Sequence, residues 1–121
     1  MQNNEIIFYR TAQNECPMLD FMNGLDGKMR AKVVRAVDLL RDTGRNLREP
    51  YSKPLTDGIF ELRIKVGSNI SRVLYFFIVG NKIILTNGFI KKTQKTPKAE
   101  IEKAKRYRAD YLNRAEGGKE N

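Results

Sequence analysis

Between residues 59 and 90 three apolar runs, IFELRIKV (59–66), ISRVLYFFIV (70–79) and KIILTNGFI (82–90), are separated only by Gly67-Ser68-Asn69 and Gly80-Asn81. Breaks this short and glycine-containing leave the chain no room for a crossover, so adjacent runs pair as hairpins and predict an antiparallel three-strand meander. A sheet of this kind needs a cover, and the flanking sequence supplies helices. Met29, Val33, Ala36, Val37 and Leu40 recur at three- and four-residue spacing, with Asp26 suited to cap the start and Gly44 to end the helix in a left-handed turn. A shorter helix opens at Pro17 and uses Leu19, Phe21, Met22 and Leu25. The last begins at Thr96-Pro97, as cap and first turn, and runs to about Leu112. EIIFYR (5–10) reads as a first strand, and RNLREPYSKPLTDG (45–58), with two prolines and a terminal Asp-Gly, as a loop leading into the sheet. The order β-α-α-β-β-β-α predicts an α+β domain with helices packed on one face of the sheet.

With 121 residues the chain is sized for one such domain, taken as 1–121 with 115–121, including Gly117-Gly118, as a frayed tail. The longest apolar run, Val73 to Val79, is far short of a membrane span, and MQNNEIIFYR lacks the pattern of a secretory signal. Cytoplasmic residence is therefore expected. The lone Cys16, in a chain without histidine, reads as a helix-start or core residue. No Cys/His metal constellation, glycine-rich phosphate loop, Ser-His pair or helix-turn-helix pattern is found, and no metal or cofactor is expected.

Charge is the informative part of the composition. The net +9 is placed unevenly: residues 1–60 hold nine basic and eight acidic side chains, residues 61–114 thirteen and four. Positive charge focused on part of one domain is the footprint of a polyanion binder. Alternation puts Phe60, Leu62, Ile64 and Val66 on the core face and Ile59, Glu61, Arg63 and Lys65 on the other. Arg72 shares a face with Leu74, opposite to Val73, Tyr75 and Phe77. Arg63, Lys65, Arg72, Lys91, Lys92 and Lys95 can thus gather on or beside one open sheet face, with Lys98 following at the start of the last helix. For Lys65, Lys82 and Lys98 a solvated or edge-protecting role competes with anion binding. Glu61 reads as an ion-pair partner before a general base. Tyr107 and Tyr111 read as packing before base stacking.

An anion site without histidine or metal ligands suits one reaction class. RNA carries its own nucleophile, and its 2′-hydroxyl can attack the adjacent phosphate if a site aligns it, accepts its proton and stabilises the charge on phosphorus. Forked arginines can do the last task, and a lysine crowded by cations has its pKa pushed down towards general-base duty.

FELRI (60–64), SRVLYFF (71–77), the string NGFIKKTQKTP (87–97) and an A-x-x-x-x-x-Y-like final helix resemble the RelE/HigB superfamily of toxins, in its phage-derived, HigB-like branch, over residues 5–113. The resemblance implies a RelE-like fold and a ribosome-dependent mRNA endonuclease of a type II toxin–antitoxin system, acting without a metal and held inactive by a cognate antitoxin. That antitoxin is commonly a helix-turn-helix, HigA-like protein, through which alone DNA would be contacted. It implies Arg63 and Arg72 at the scissile phosphate and Lys91, Lys92 and Lys95 as loop residues touching RNA, one of them supplying acid or base, with Lys91 and Lys92 taken with the arginines as catalytic. Lys65 and Lys98 join Lys95 as expected RNA contacts. Phe89 matches the aromatic before the loop and is expected to pack. Members that use histidines differ from this chain, which leaves the general base open. The competing reading is a non-catalytic RNA- or ribosome-binding basic domain.

Overall fold

The computed structural model describes residues 4–92 and 95–119, the last four of these as backbone only. Eight main elements follow in order: β1 (Glu5–Phe8), α1 (Pro17–Asn23), α2 (Gly27–Thr43), β2 (Ser52–Thr56), β3 (Ile59–Val66), β4 (Asn69–Ile78), β5 (Lys82–Ile90) and α3 (Lys98–Lys119). The strands form one sheet in the order β1-β5-β4-β3-β2, antiparallel except where β1 lies parallel to β5. The meander of β3, β4 and β5 stands where the glycine breaks place it. Gly67 (φ 61°), Gly80 (φ 83°) and Asn81 (φ 65°) take the positive φ that tight hairpins need.

Local chemistry sets α2 as well. The Asp26 carboxylate accepts the Met29 N–H at 2.8 Å, and Gly44 (φ 60°) ends the helix by donating its N–H to the Leu40 carbonyl. Between these caps Met29, Val33, Val37 and Leu40 are buried. They pack with Met18 of α1 on Leu62, Ile64, Val73, Tyr75 and Leu85. Cys16 is both the residue before α1 and buried in this core.

Four features depart from the sequence expectation. Helices cover both faces of the sheet rather than one: α1 and α2 lie on the first, and α3 sets Ala104, Tyr107 and Tyr111 against Ile59, Leu74, Phe76, Ile84 and Tyr9 on the second. The cause is visible in VLYFFIV, which is apolar at successive positions and so needs cover on both sides. Residues 45–58 are more than a loop, since β2 pairs with β3 at the sheet edge (Ser52 with Leu62, Lys53 with Glu61, Pro54 with Phe60). Pro54 is tolerated because an edge strand need not donate on both sides. Asp57 (φ 51°) and Gly58 (φ 79°) make the two-residue turn into β3. Finally, α3 continues past Leu112 to Lys119, so the tail expected to fray is helical that far, and its last two residues lie outside the described ones. The first strand is shorter than expected, ending at Phe8. Among the described residues no helix is long and apolar enough to cross a membrane.

Candidate functional site

Alternation along β3 carries Ile59 beneath α3 and sets Glu61, Arg63 and Lys65 in turn towards the part of that face beyond the helix. The β3–β4 register then puts Arg63 directly opposite Arg72. Two like charges facing each other across strands repel. Glu61 answers that repulsion. It is only 1% exposed, with Oε2 3.3 Å from Arg63 Nε and Oε1 3.6 Å from Arg72 Nε. Neither Nε is aligned for a hydrogen bond, so these are ion contacts. The hydroxyl of Thr96 donates to the same carboxylate at 2.5 Å, tying the lysine loop to the arginine pair. Arg72 is 7% exposed and its Nη1 donates to the Ser71 carbonyl at 3.1 Å. Burial lowers its pKa from the ordinary arginine value, against the pull of Glu61 and with the help of Arg63. Glu61 is thus the ion-pair partner the sequence suggests, and it neutralises one of two cations.

Lys91 extends the β4–β5 pairing by donating its N–H to the Ile70 carbonyl at 2.8 Å. Its side chain is half-buried and lines a cleft of about 330 Å³ with Lys53, Glu61, Arg63, Lys95 and Thr96. Burial first, then the Arg72 cation, pushes the Lys91 ammonium below the usual lysine value; Glu61 opposes, while Arg63 and Lys53 add to the depression. A second cleft of about 420 Å³ is lined by Lys32, Pro50, Tyr51, Arg63, Lys65 and Arg72, among others. Arg63 stands between the two. Its Nη1 also lies 4.0 Å from Glu49 Oε1.

The structure therefore gathers Arg63, Arg72 and Lys91 around one buried carboxylate, with Lys65 lining the larger cleft and Lys95 the smaller. Lys92 and Lys98 are exposed and, among the described residues, line neither cleft. Thr93 and Gln94 of the GFIKKTQKTP string lie outside the described residues. Phe89, Tyr107 and Tyr111 belong to the core under α3, where Tyr107 stacks on Tyr9 with ring centres 4.7 Å apart. Gly88 has a packing reason: a Cβ there would run into the Phe21 ring of α1. Three cleft residues escaped the sequence reading. Lys53 and Tyr51 belong to or adjoin β2, read as a loop, and Lys32 is an off-stripe residue of α2; the only signal for Lys53 was its β-pairing with Glu61, which is not local in sequence.

Against known proteins, a family model described as phage derived protein Gp49-like (DUF891) matches residues 20–109, a span that contains both clefts. No curated protein matches the chain.

Proposed function

Since the chain belongs to the phage-derived Gp49-like family, which is associated with RelE/HigB-like toxins of toxin–antitoxin systems, we propose that it is a toxin of this kind that cleaves mRNA on the ribosome and is neutralised by a cognate antitoxin. The observation that supports this most is the pair of arginines facing each other across β3 and β4, held by buried Glu61 beside a lysine of lowered pKa.

Each part has a task in attack by the RNA 2′-hydroxyl. Arg63 and Arg72 take the scissile phosphate: their Nε atoms lie beside Glu61 without hydrogen-bonding it, and the outer N–H groups, apart from the one Arg72 Nη1 gives to the Ser71 carbonyl, serve the non-bridging oxygens, on which charge grows as phosphorus becomes pentacoordinate. Because Glu61 holds both guanidiniums before substrate arrives, little reorganisation is left for the reaction itself. Lys91 is the candidate for moving the proton. A depressed pKa raises its neutral fraction at a given pH, and the neutral amine accepts the 2′-hydroxyl proton. The new 2′-O–P bond forms as the P–O5′ bond breaks, giving a 2′,3′-cyclic phosphate and a 5′-hydroxyl that takes up a proton. Lys65, Lys92, Lys95 and Lys98 hold the strand through its phosphates, so their loss weakens binding more than the chemical step.

The test is induction of the wild type, Arg72→Lys and Lys91→Met in cells lacking antitoxin, with mRNA ends mapped. Arg72→Lys keeps a cation beside Glu61 while losing the fork. Growth arrest with new mRNA ends in the wild type, and cleavage reduced roughly 100-fold or more in folded variants, is expected. Intact mRNA with a soluble, well-expressed wild type would instead favour a basic domain that binds RNA or ribosome without cutting.

A further inference from the structure

Most aromatic rings of the described residues pack into one of the two cores, but Tyr51 is 53% exposed. It lines the larger cleft together with Pro50, Arg63, Lys65 and Arg72, and a smaller pocket against Ala36 and Leu39 of α2. The backbone holds it there: the Tyr51 N–H donates to the Arg48 carbonyl, and the Tyr51 carbonyl accepts the Arg63 N–H, each at 2.9 Å. The Tyr51 main chain is thus tied directly to the strand that carries Arg63. The cleft combines apolar Pro50, Ile70 and Tyr51 with cations, and no acidic residue is among its described lining residues. Its volume of about 420 Å³ falls within the roughly 300–1,000 Å³ typical of small-ligand pockets. One ligand unit presents a flat, largely apolar face joined to an anion: a nucleotide of a single strand.

We infer that Tyr51 is the stacking platform for an unpaired nucleobase next to the phosphate held by Arg63 and Arg72. The inference rests on the proposed RNA-cleaving function and adds to it a base subsite. Stacking of this kind is sequence-tolerant, because every base has a π-face. The subsite would therefore set where the strand lies rather than which base it carries. A protein partner could also use an exposed tyrosine as an anchor, but the cation-rich lining beside it suits a phosphate backbone better.

The chain has no tryptophan, so Tyr51→Trp places a single reporter at the subsite. The probes are a short, fully 2′-O-methylated single-stranded RNA, which lacks the attacking hydroxyl, and a backbone of equal length made of abasic residues, both at low salt. Fluorescence of the tryptophan variant is expected to be quenched by the RNA and not by the abasic strand. Tyr51→Ala, which removes an exposed side chain and leaves both backbone bonds intact, is expected to weaken RNA binding roughly tenfold, in the range for loss of one base–aromatic stack. Its affinity for the abasic strand should be unchanged, and Tyr51→Phe should bind RNA like the wild type. If the wild type binds both strands equally and no quenching is seen, stacking is wrong while the phosphate site stands. If it binds neither, no nucleotide subsite stands and the inference is overturned, while mapped mRNA ends in cells decide the cleavage reading separately. If Tyr51→Ala keeps full RNA affinity but loses antitoxin binding, the ring is a protein anchor and the inference is overturned.

Discussion

Glu61 is the residue on which the arrangement of the site turns. A carboxylate 1% exposed is costly to bury, and here the cost is offset by two guanidiniums that would otherwise face each other unscreened across adjacent strands. Removing only the negative member leaves two buried or half-buried cations in repulsion. Glu61→Gln should therefore lower stability by about 3 kcal/mol, read as a shifted midpoint in urea. Adding Arg63→Gln should recover part of that loss, because it removes one of the two repelling charges. Titration offers a second check at this scale. Burial and then the Asp110 carboxylate, which accepts the Tyr9 hydroxyl at 2.6 Å, push the Tyr9 pKa up from 10.0 to about 12. With the folded value raised, the unfolded chain loses this proton first. Stability from Tyr9 is then complete below pH 10 and falls as pH rises towards about 12. Lys91 has the opposite sign: its folded value lies below 10.5, the unfolded chain binds the proton more tightly, and stability rises as pH climbs to that value. Thermal midpoints across alkaline pH should show a shallower fall for Tyr9→Phe, and for Lys91→Met higher stability than wild type at neutral pH.

At the level of elements, the contact between α1 and β5 explains why a glycine stands before Phe89. The ring of Phe21 occupies the space a Cβ on Gly88 would fill, and a ring packed against the core cannot step aside without disturbing its neighbours. Gly88→Ala should cost about 1–3 kcal/mol, measured by chemical denaturation, and pairing it with Phe21→Leu should restore part. Legibility also divides by element. The β3–β4–β5 meander and α2 were readable because their determinants are local: Gly67 and Gly80 in the turns, Asp26 and Gly44 at the helix ends, and an apolar stripe between. β2 was not, because Pro54 argues against a strand everywhere except at an edge, and edge position is a property of the assembled sheet. That one miss hid Lys53 and Tyr51 from the candidate site. Arg63 and Arg72 were found because alternation alone puts each on its face, whereas their direct opposition and the burial of Glu61 between them needed the register. The second core failed to register for a similar reason: Ile59 looked like the outward member of β3 until α3 was seen to cover it.

For the whole molecule the question is whether the net charge of +9 acts as a diffuse field or through a focused site. Helix α3 covers part of the second sheet face, and the two clefts bring together Lys32, Lys53, Arg63, Lys65, Arg72, Lys91 and Lys95 with Glu61 as their acidic member among the described lining residues. Low-dielectric walls around like charges concentrate potential there more than the same charges spread over a convex surface would. Lys65 lines the larger cleft, while Lys82 begins β5 in register with Glu5 and Ile78, at the end of that strand away from Phe89 and Arg72. Lys65→Ala and Lys82→Ala remove the same unit of charge, so a diffuse field would treat them alike. A focused site would not. Single-stranded RNA affinity followed against salt loses slope by about 0.7 for each phosphate contact removed. Lys65→Ala should give a slope shallower by that amount and Lys82→Ala the wild-type slope, while Arg72→Lys, changed where the guanidinium is buried, should nearly keep the slope and lose cleavage. Equal slopes for the two lysine variants would mean that RNA is attracted by total charge, and that the clefts beside the arginine pair are not where the strand is held.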